Sequence, residues 1–287
     1  MSVKRNKPFQ TKGGIVYLVA SPIGNIKDIS TRFMEIVSEA DIVACEDTRN
    51  TGLLLSRLNI TPKKLVSCYS QIESNEAIKL VEEVKNKNLT LVYLSDAGTP
   101  GISDPGALLI KEAIDKDVAV SAIPGPSALI QALITSGFDT SDFSFYGFLP
   151  VKNNSQKEVL EKLKEREETL IFYEAPHRLF DTLKNMKEVF SGERRVCLSR
   201  EITKLYEEHI RGTLDEITSL DPSTVKGEFV IVVEGNSNPS VEITDDKIIE
   251  EAQVLLKSGM RKNDVSKYLA DKLKISKNRI YMLIKDI

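Results

Sequence analysis

From Gly14 onward the chain alternates short β-branched apolar runs with loops rich in Gly, Pro or Asp, followed by stretches of helical spacing. Short apolar runs bounded by turn signals predict buried strands, and their alternation with helices predicts an α/β fold on a largely parallel sheet. The runs are Ile15–Ala20, Ile42–Cys45, Leu65–Cys68, Leu89–Leu94 and Val118–Ile123. Helices are predicted over Thr31–Ala40, Thr48–Leu58, Asn75–Lys85 and Pro105–Ile114.

Pro124, Gly125, Pro126 and Ser127 break this rhythm, and Ser127 is predicted to cap an apolar helix over Ala128–Thr135. Further strands are predicted at Phe143–Phe148, Leu170–Tyr173, Arg195–Arg200, Tyr206–Arg211 and Phe229–Val233, with polar helices near 154–167 and 178–190. The later runs are less regularly separated by helices, which predicts antiparallel pairs in a mixed sheet. Gly235 to Ser240 is turn-rich and reads as a linker. Beyond it, a helix over 246–257 precedes two short ones within Met260–Lys285. Val265, Leu269 and Leu273 share one face; Ile280, Leu283 and Ile284 share another; Asn263 and Ser276 are candidate N-caps. The spacing fits a helix-turn-helix-like bundle, or a helical cap that completes the body or a dimer contact. The expected organisation is a basic tail at 1–12, an N-terminal α/β domain at 13–124, a second α/β domain at 125–236, a linker at 237–244 and a helical module at 245–287.

The chain has 287 residues, 41% hydrophobic and 28% charged, a composition that excludes long disorder and fibrous classes. No apolar run reaches the roughly 18–20 residues of a membrane span, and no apolar signal segment follows Lys4, Arg5 and Lys7. The expected location is the cytoplasm. Cys45, Cys68 and Cys197 form no CxxC pair and only His177 and His209 are available, so neither a zinc site, any other metal nor a disulfide framework is expected. The cysteines read as core residues. The net charge of −3 is unevenly spread: residues 257–285 carry nine Lys or Arg against two acids, leaving an acidic body with a basic tail. Such a tail fits a polyanionic partner engaged locally.

Chemistry concentrates at strand ends. The loop Ser95 to Gly106 holds three glycines, two prolines and two acids directly after an apolar strand, where open α/β sheets bind ligands. It is neither GxGxxG nor GxxxxGK[ST], which counts against dinucleotide and P-loop ligands. Ser21 to Asn25 and Pro124 to Ala128 close two other strands, so three small, proline-shaped loops converge on a pocket suited to a flat adenosyl group. Cys45 to Arg49 places Glu46, Asp47 and Arg49 at a strand end, where Asp47 or Thr48 also serves as a helix cap. Phe172 to Arg178 gathers Glu174, His177 and Arg178 in a turn, and His177 is the better titratable candidate, His209 reading as a surface strand residue. Ser199 to Lys204 mixes both charges and reads as a solvated hairpin unless it faces the same cleft.

Seven segments, LVASPIGNIKDIS from Leu18, CEDTRNTGLLL from Cys45, SDAGTPGISDPG from Ser95, IPGPSAL from Ile123, FYEAPHR from Phe172, SREITK from Ser199 and GEFVIVVEG from Gly227, are similar to the tetrapyrrole-methylase class of S-adenosylmethionine methyltransferases. They most resemble its ribosomal RNA branch. The resemblance implies two α/β domains with the cofactor S-adenosyl-L-methionine in the cleft between them, a homodimer, and 2'-O-methylation of a cytidine ribose in the decoding region of 16S ribosomal RNA. It implies a cofactor site at Asp96, Ala97, Gly98, Thr99, Ile102 and Asp104, with Ser127 and Ala128, flanked by Pro22 and Tyr173. For an in-line attack by a ribose hydroxyl, His177 or Glu46 is the expected base, with Arg49 as a further catalytic residue that holds phosphate or orients a carboxylate. Arg178, Arg200, Lys204, Arg261 and Lys262 are the expected RNA contacts. A tetrapyrrole C-methyltransferase and a ligand-sensing nucleic-acid-binding regulator are the alternatives.

Overall fold

The computed structural model describes residues 5–68, 73–102, 106–222, 227–237, 245–273 and 276–285. Residues Met1–Asn236 form one compact unit and Ser237–Ile287 a second.

In the first unit, β1 (Ile15–Val19), β2 (Ile42–Cys45), β3 (Leu65–Ser67), β4 (Thr90–Leu94) and β5 (Ala119–Ile123) form a parallel sheet of order β3-β2-β4-β1-β5. Alternate residues of each strand feed opposite cores, as the two-residue period of a strand requires. Val43, Cys45, Val92 and Leu94 pack under α1 (Thr31–Glu39) and α2 (Thr48–Arg57). Ile42, Ala44, Leu91 and Tyr93 pack under α3 (Glu73–Lys87) and α4 (Ala107–Asp115). From β1 the chain crosses to β2 on one side, while from its neighbour β4 it crosses to β5 on the other. The tips of β1 and β4 therefore open a crevice at the topological switch point.

The second sheet has order β6-β7-β10-β8-β9: β6 (Phe143–Phe148) and β7 (Thr169–Glu174) are parallel, and β10 (Phe229–Val233), β8 (Arg195–Arg200) and β9 (Glu208–Thr213) join antiparallel. One face packs on α6 (Asn153–Leu163), α7 (Leu179–Phe190) and α8 (Leu214–Thr218). The other carries α5 (Ala128–Ser136), with Leu129, Ala132 and Leu133 against Ile171, Cys197, Val230 and Val232.

Some elements depart from the sequence expectation. Strand β9 begins two residues late because Glu201 to Glu207 is spent on turns, with hydrogen bonds from Lys204 N to Glu201 O and from Glu207 N to Lys204 O. Helix α8 was not expected, although Thr213 and Glu216 form a full capping box. His209 is not a surface residue: only 17% of its side chain is exposed, and Nδ1 lies 2.8 Å from Ser199 Oγ while Nε2 lies 3.2 Å from Glu207 Oε1. Ser127 occupies the N-cap position of α5, yet its side chain caps nothing. All three cysteines are buried.

In the second unit, α9 (Asp245–Lys257), α10 (Lys262–Leu273) and α11 (Lys277–Ile284) enclose a core of Ile248, Ala252, Val265, Leu269, Ile280 and Ile284. Ser276 caps α11 by accepting from Arg279 N. The expected linker lies outside the described residues from 238 to 244. Among the described residues, no helix is long and apolar enough to cross a membrane.

Candidate functional site

Two main-chain hydrogen bonds set the geometry. Ser21 N donates to Gly98 O at 2.8 Å and Gly98 N to Ser21 O at 3.0 Å, so the loops after β1 and β4 are stitched together over the crevice. Gly98 has φ +75°, a left-handed conformation that side chains disfavour, and a Cβ there would meet Ile23 Cγ2 at 3.4 Å. Ser95 Oγ donates to Gly98 O at 3.0 Å, and Thr99 Oγ1 to Pro126 O at 3.2 Å, which clasps the β4 loop to the β5 loop. Three strand tips are thereby held as one rim.

Against this rim lies a cavity of about 410 Å³. Its first wall is Ile23, Ala97, Gly98, Thr99 and Ile102; Ser127 and Ala128 open α5; the opposite wall comes from the second sheet through Phe148, Tyr173 to Pro176, Glu201, Ile202, Lys204 and Glu228 to Val230. Tyr173 is held edge-on by Phe145 and Phe148, with centroids 4.8 and 5.6 Å away. The size falls within the roughly 300–1,000 Å³ of small-molecule sites, and the mix of apolar walls with a few polar groups is typical of them.

The cavity gathers Ala97, Gly98, Thr99, Ile102, Ser127, Ala128 and Tyr173 of the expected cofactor residues. Asp96 is exposed at the β4 tip, its Oδ2 accepting from Asn50 Nδ2 at 2.7 Å, and Pro22 lies beside the wall without lining it. Asp104 lies outside the described residues.

The structure does not bring the expected catalytic group to this cavity. His177 is exposed on the turn just beyond the lining residue Pro176. Glu46 sits at the β2 tip, where burial, followed by the charges of Asp96 and Asp47, pushes its carboxyl up. Arg49 is committed to Asp47: Nε donates to Oδ1 at 3.1 Å and Nη2 to Oδ2 at 2.6 Å, while Asp47 also caps α2 by accepting from Arg49 N. These bonds hold Asp47 down to about 2.

The expected RNA-binding cations fare differently too. Arg178 faces inward, donating to Leu149 O at 3.0 Å and Glu174 Oε2 at 3.3 Å, and Arg200 Nε pairs with Glu208 Oε2 at 2.5 Å. Lys204 is no solvated hairpin residue but a cavity wall. Arg261 is exposed on the helical unit, whereas Lys262 is half-buried and donates to Lys285 O at 2.8 Å.

Sequence reasoning gave Glu174 no role beyond its motif. It is 2% exposed and its carboxylate accepts from Ala175 N at 2.8 Å, from Thr182 Oγ1 at 2.5 Å and from Arg178. Gln156 Nε2 extends the network to Thr182 Oγ1 at 3.0 Å. A carboxylate directly after a strand and four residues before an arginine was the available signal. Glu201 and Glu228 were also passed over, because only the tertiary fold brings them together.

Residues 15–218 match the family model described as Tetrapyrrole (Corrin/Porphyrin) Methylases. The chain is 39% identical, over the full length of both chains, to the ribosomal RNA small subunit methyltransferase I of Streptococcus pyogenes serotype M1. It is 44% identical to the protein of that name from Bacillus subtilis (strain 168), covering 84% of this chain and 82% of the relative. Among solved structures, the methyltransferase CobJ superposes with a TM-score of 0.58 at 14% identity, covering 79% of this chain and 95% of that one. Uroporphyrin-III-C-methyltransferase from Thermus thermophilus superposes with a TM-score of 0.54 at 16% identity, covering 76% and 94%. At these identities the superpositions establish the fold alone.

Proposed function

Because the chain belongs to the tetrapyrrole methylase family, and within it to the ribosomal RNA small subunit methyltransferase I branch, we propose that it methylates the 2'-oxygen of a cytidine ribose in the decoding region of 16S ribosomal RNA with S-adenosyl-L-methionine. When bound, the cofactor supplies an electrophilic sulfonium methyl. The left-handed turn at Gly98, where a Cβ would be strained and would touch Ile23, and the Ser127 side chain at the start of α5, which caps nothing, suit such a ligand. Ala97, Gly98, Thr99, Ile102, Ser127, Ala128 and Tyr173 would hold it, with Asp96 and Pro22 at the rim. The work of the chain is positioning and exclusion of water.

The observation that carries this reading is the stitched rim: the Ser21–Gly98 bridge and the Thr99–Pro126 clasp place a cofactor-sized cavity at the topological switch point. RNA is favoured over a tetrapyrrole by the basic helical unit, which a macrocycle does not require; Arg261 and Lys267 are exposed there. We also read the protein as a cytoplasmic homodimer, supported by the exposed apolar residues Phe148, Val151, Leu205 and Tyr206 of the first unit. Calorimetry with S-adenosylhomocysteine tests the cavity assignment. One site per chain is expected, and no uptake overturns it.

A further inference from the structure

Among the described residues, the charged side chains lining the cavity are Glu174, Glu201, Lys204 and Glu228, beside the neutral phenol of Tyr173. Glu174 is spoken for by Ala175 N, Thr182 and Arg178. The other three form one cluster. Lys204 Nζ donates to Glu201 Oε1 at 3.1 Å and to Glu228 Oε2 at 3.2 Å, and Glu228 N donates to Glu201 Oε1 at 3.4 Å.

This cluster sits on left-handed backbone. Glu201 and Thr203 adopt φ of +51° and +69°, a region non-glycine residues rarely occupy and one that concentrates at functional sites. Two glycines make room for it: a Cβ on Gly24 would fall 2.5 Å from Lys204 Cγ, and one on Gly227 would fall 2.7 Å from Glu201 Cγ. Burial works against the Lys204 ammonium, but hydrogen bonds to Glu201 and Glu228 outweigh it and hold its pKa above the ordinary lysine value. Burial also pushes Glu201 up, but the Lys204 bond, the Glu228 amide and the charges of Lys204 and Arg200 bring it below the usual carboxylate range. Lys204 is therefore a fixed cation that cannot take a proton. The two carboxylates differ in access: the Glu201 side chain is 22% exposed and that of Glu228 84%.

A polymer cannot enter a cavity of this size, so its sugar must be presented at the mouth, where Glu228 stands. We propose that Glu228 accepts the proton of the acceptor hydroxyl, with Lys204 and Glu201 as the positioning residues that aim its carboxylate. The inference rests on the ribose reading above. The hydroxyl oxygen forms its bond to the methyl carbon with a lone pair, the carbon–sulfur bond breaks with its pair staying on sulfur, and the hydroxyl proton passes to Glu228 and then to water. That proton becomes strongly acidic as the new bond forms, so a carboxylate is base enough. The cluster carries one net negative charge, matched to the positive charge that the transfer moves from sulfur towards the hydroxyl, while Arg200 nearby is answered by Glu208.

The test compares the parent, Glu228→Gln and Lys204→Met in single-turnover transfer to small subunits, with S-adenosylhomocysteine affinity measured in parallel. Glu228→Gln should slow transfer about 100-fold or more, the usual worth of a general base, while affinity stays within about twofold. Lys204→Met should slow transfer at unchanged S-adenosylhomocysteine affinity, and Lys204→Arg, which keeps a charged donor between Glu201 and Glu228, should restore it. A merely structural ion pair would leave the transfer rate of Glu228→Gln within about threefold, and that result overturns the proposal. Transfer by Lys204→Met at the parent rate, or no recovery in Lys204→Arg, overturns the positioning role. If the parent labels a base atom, the ribose reading fails and takes the proposal with it; ribose labelling undiminished in Glu228→Gln sinks the proposal alone.

Discussion

Thr182 Oγ1 donates a 2.5 Å hydrogen bond to Glu174 Oε2 between two buried side chains, and so ties helix α7 to the end of β7. The residues on either side of that carboxylate, Tyr173 and Ala175, line the cavity. Breaking one partner of a buried, hydrogen-bonded charge pair costs about 3 kcal/mol or more. Glu174→Ala should therefore lower unfolding free energy by about that amount in urea titrations, with the Arg178 charge and the Thr182 hydroxyl proton losing their carboxylate acceptor. A drop below about 1 kcal/mol would show that the network does not brace this wall.

Gly98 and Gly137 provide a matched pair. Both have positive φ, +75° and +84°, so alanine at either strains the backbone by about 1–2 kcal/mol. A Cβ on Gly137 meets nothing within 4 Å, whereas one on Gly98 meets Ile23 beside the cavity. Gly98→Ala should weaken S-adenosylhomocysteine binding about tenfold; Gly137→Ala should leave it unchanged at a similar drop in melting temperature. Equal affinities in calorimetry would count against Gly98 as the cradle.

Acid sensitivity has an identifiable source at the α2 N-terminus. Hydrogen bonds from the Arg49 side chain and amide, with its charge, hold Asp47 at about 2 against an ordinary 3.8. A depressed carboxyl stabilises the fold above its unfolded pKa, and that contribution is lost as pH falls through the folded value. Asp47→Asn keeps a good capping side chain but cannot titrate. The parent's stability advantage over this variant should shrink between pH 4 and about pH 2, as followed by urea unfolding across that window. A constant difference would place the acid response elsewhere.

The helical unit is expected to add affinity for RNA without touching the cofactor. Arg261 and Lys267 are exposed. Replacing both by Ala in the full chain should weaken RNA binding and lower the slope of log affinity against log salt by about one for each phosphate no longer neutralised. S-adenosylhomocysteine affinity should not change. An unaltered salt slope would assign the unit a purely structural part.

Much of the fold was legible because strand signals are local. The β-branched runs at Ile42–Cys45, Arg195–Arg200 and Phe229–Val233 became strands with those limits, and loops at the tips of β1, β4 and β5 pointed to the crevice. What stayed hidden depends on approach across the fold. His209 reads as a surface residue until Ser199 and Glu207 close on it. Ser127 has the look of a cap, but faces the cavity instead. Lys204 reads as a solvated charge until Gly24 and Gly227, distant in sequence, make space for it and Glu201. Apart from Tyr173, the second wall of the site was illegible for the same reason: Phe148, Glu201 and Glu228 come from three separated segments.

The destination of the methyl group decides the functional reading. Small subunits from a strain lacking this activity, incubated with the purified protein and methyl-labelled S-adenosylmethionine, can be digested to nucleosides and the label mapped. A single labelled 2'-O-methylcytidine from the decoding region is the predicted result. Label on a base atom, or none transferred by protein that binds the cofactor, would contradict it.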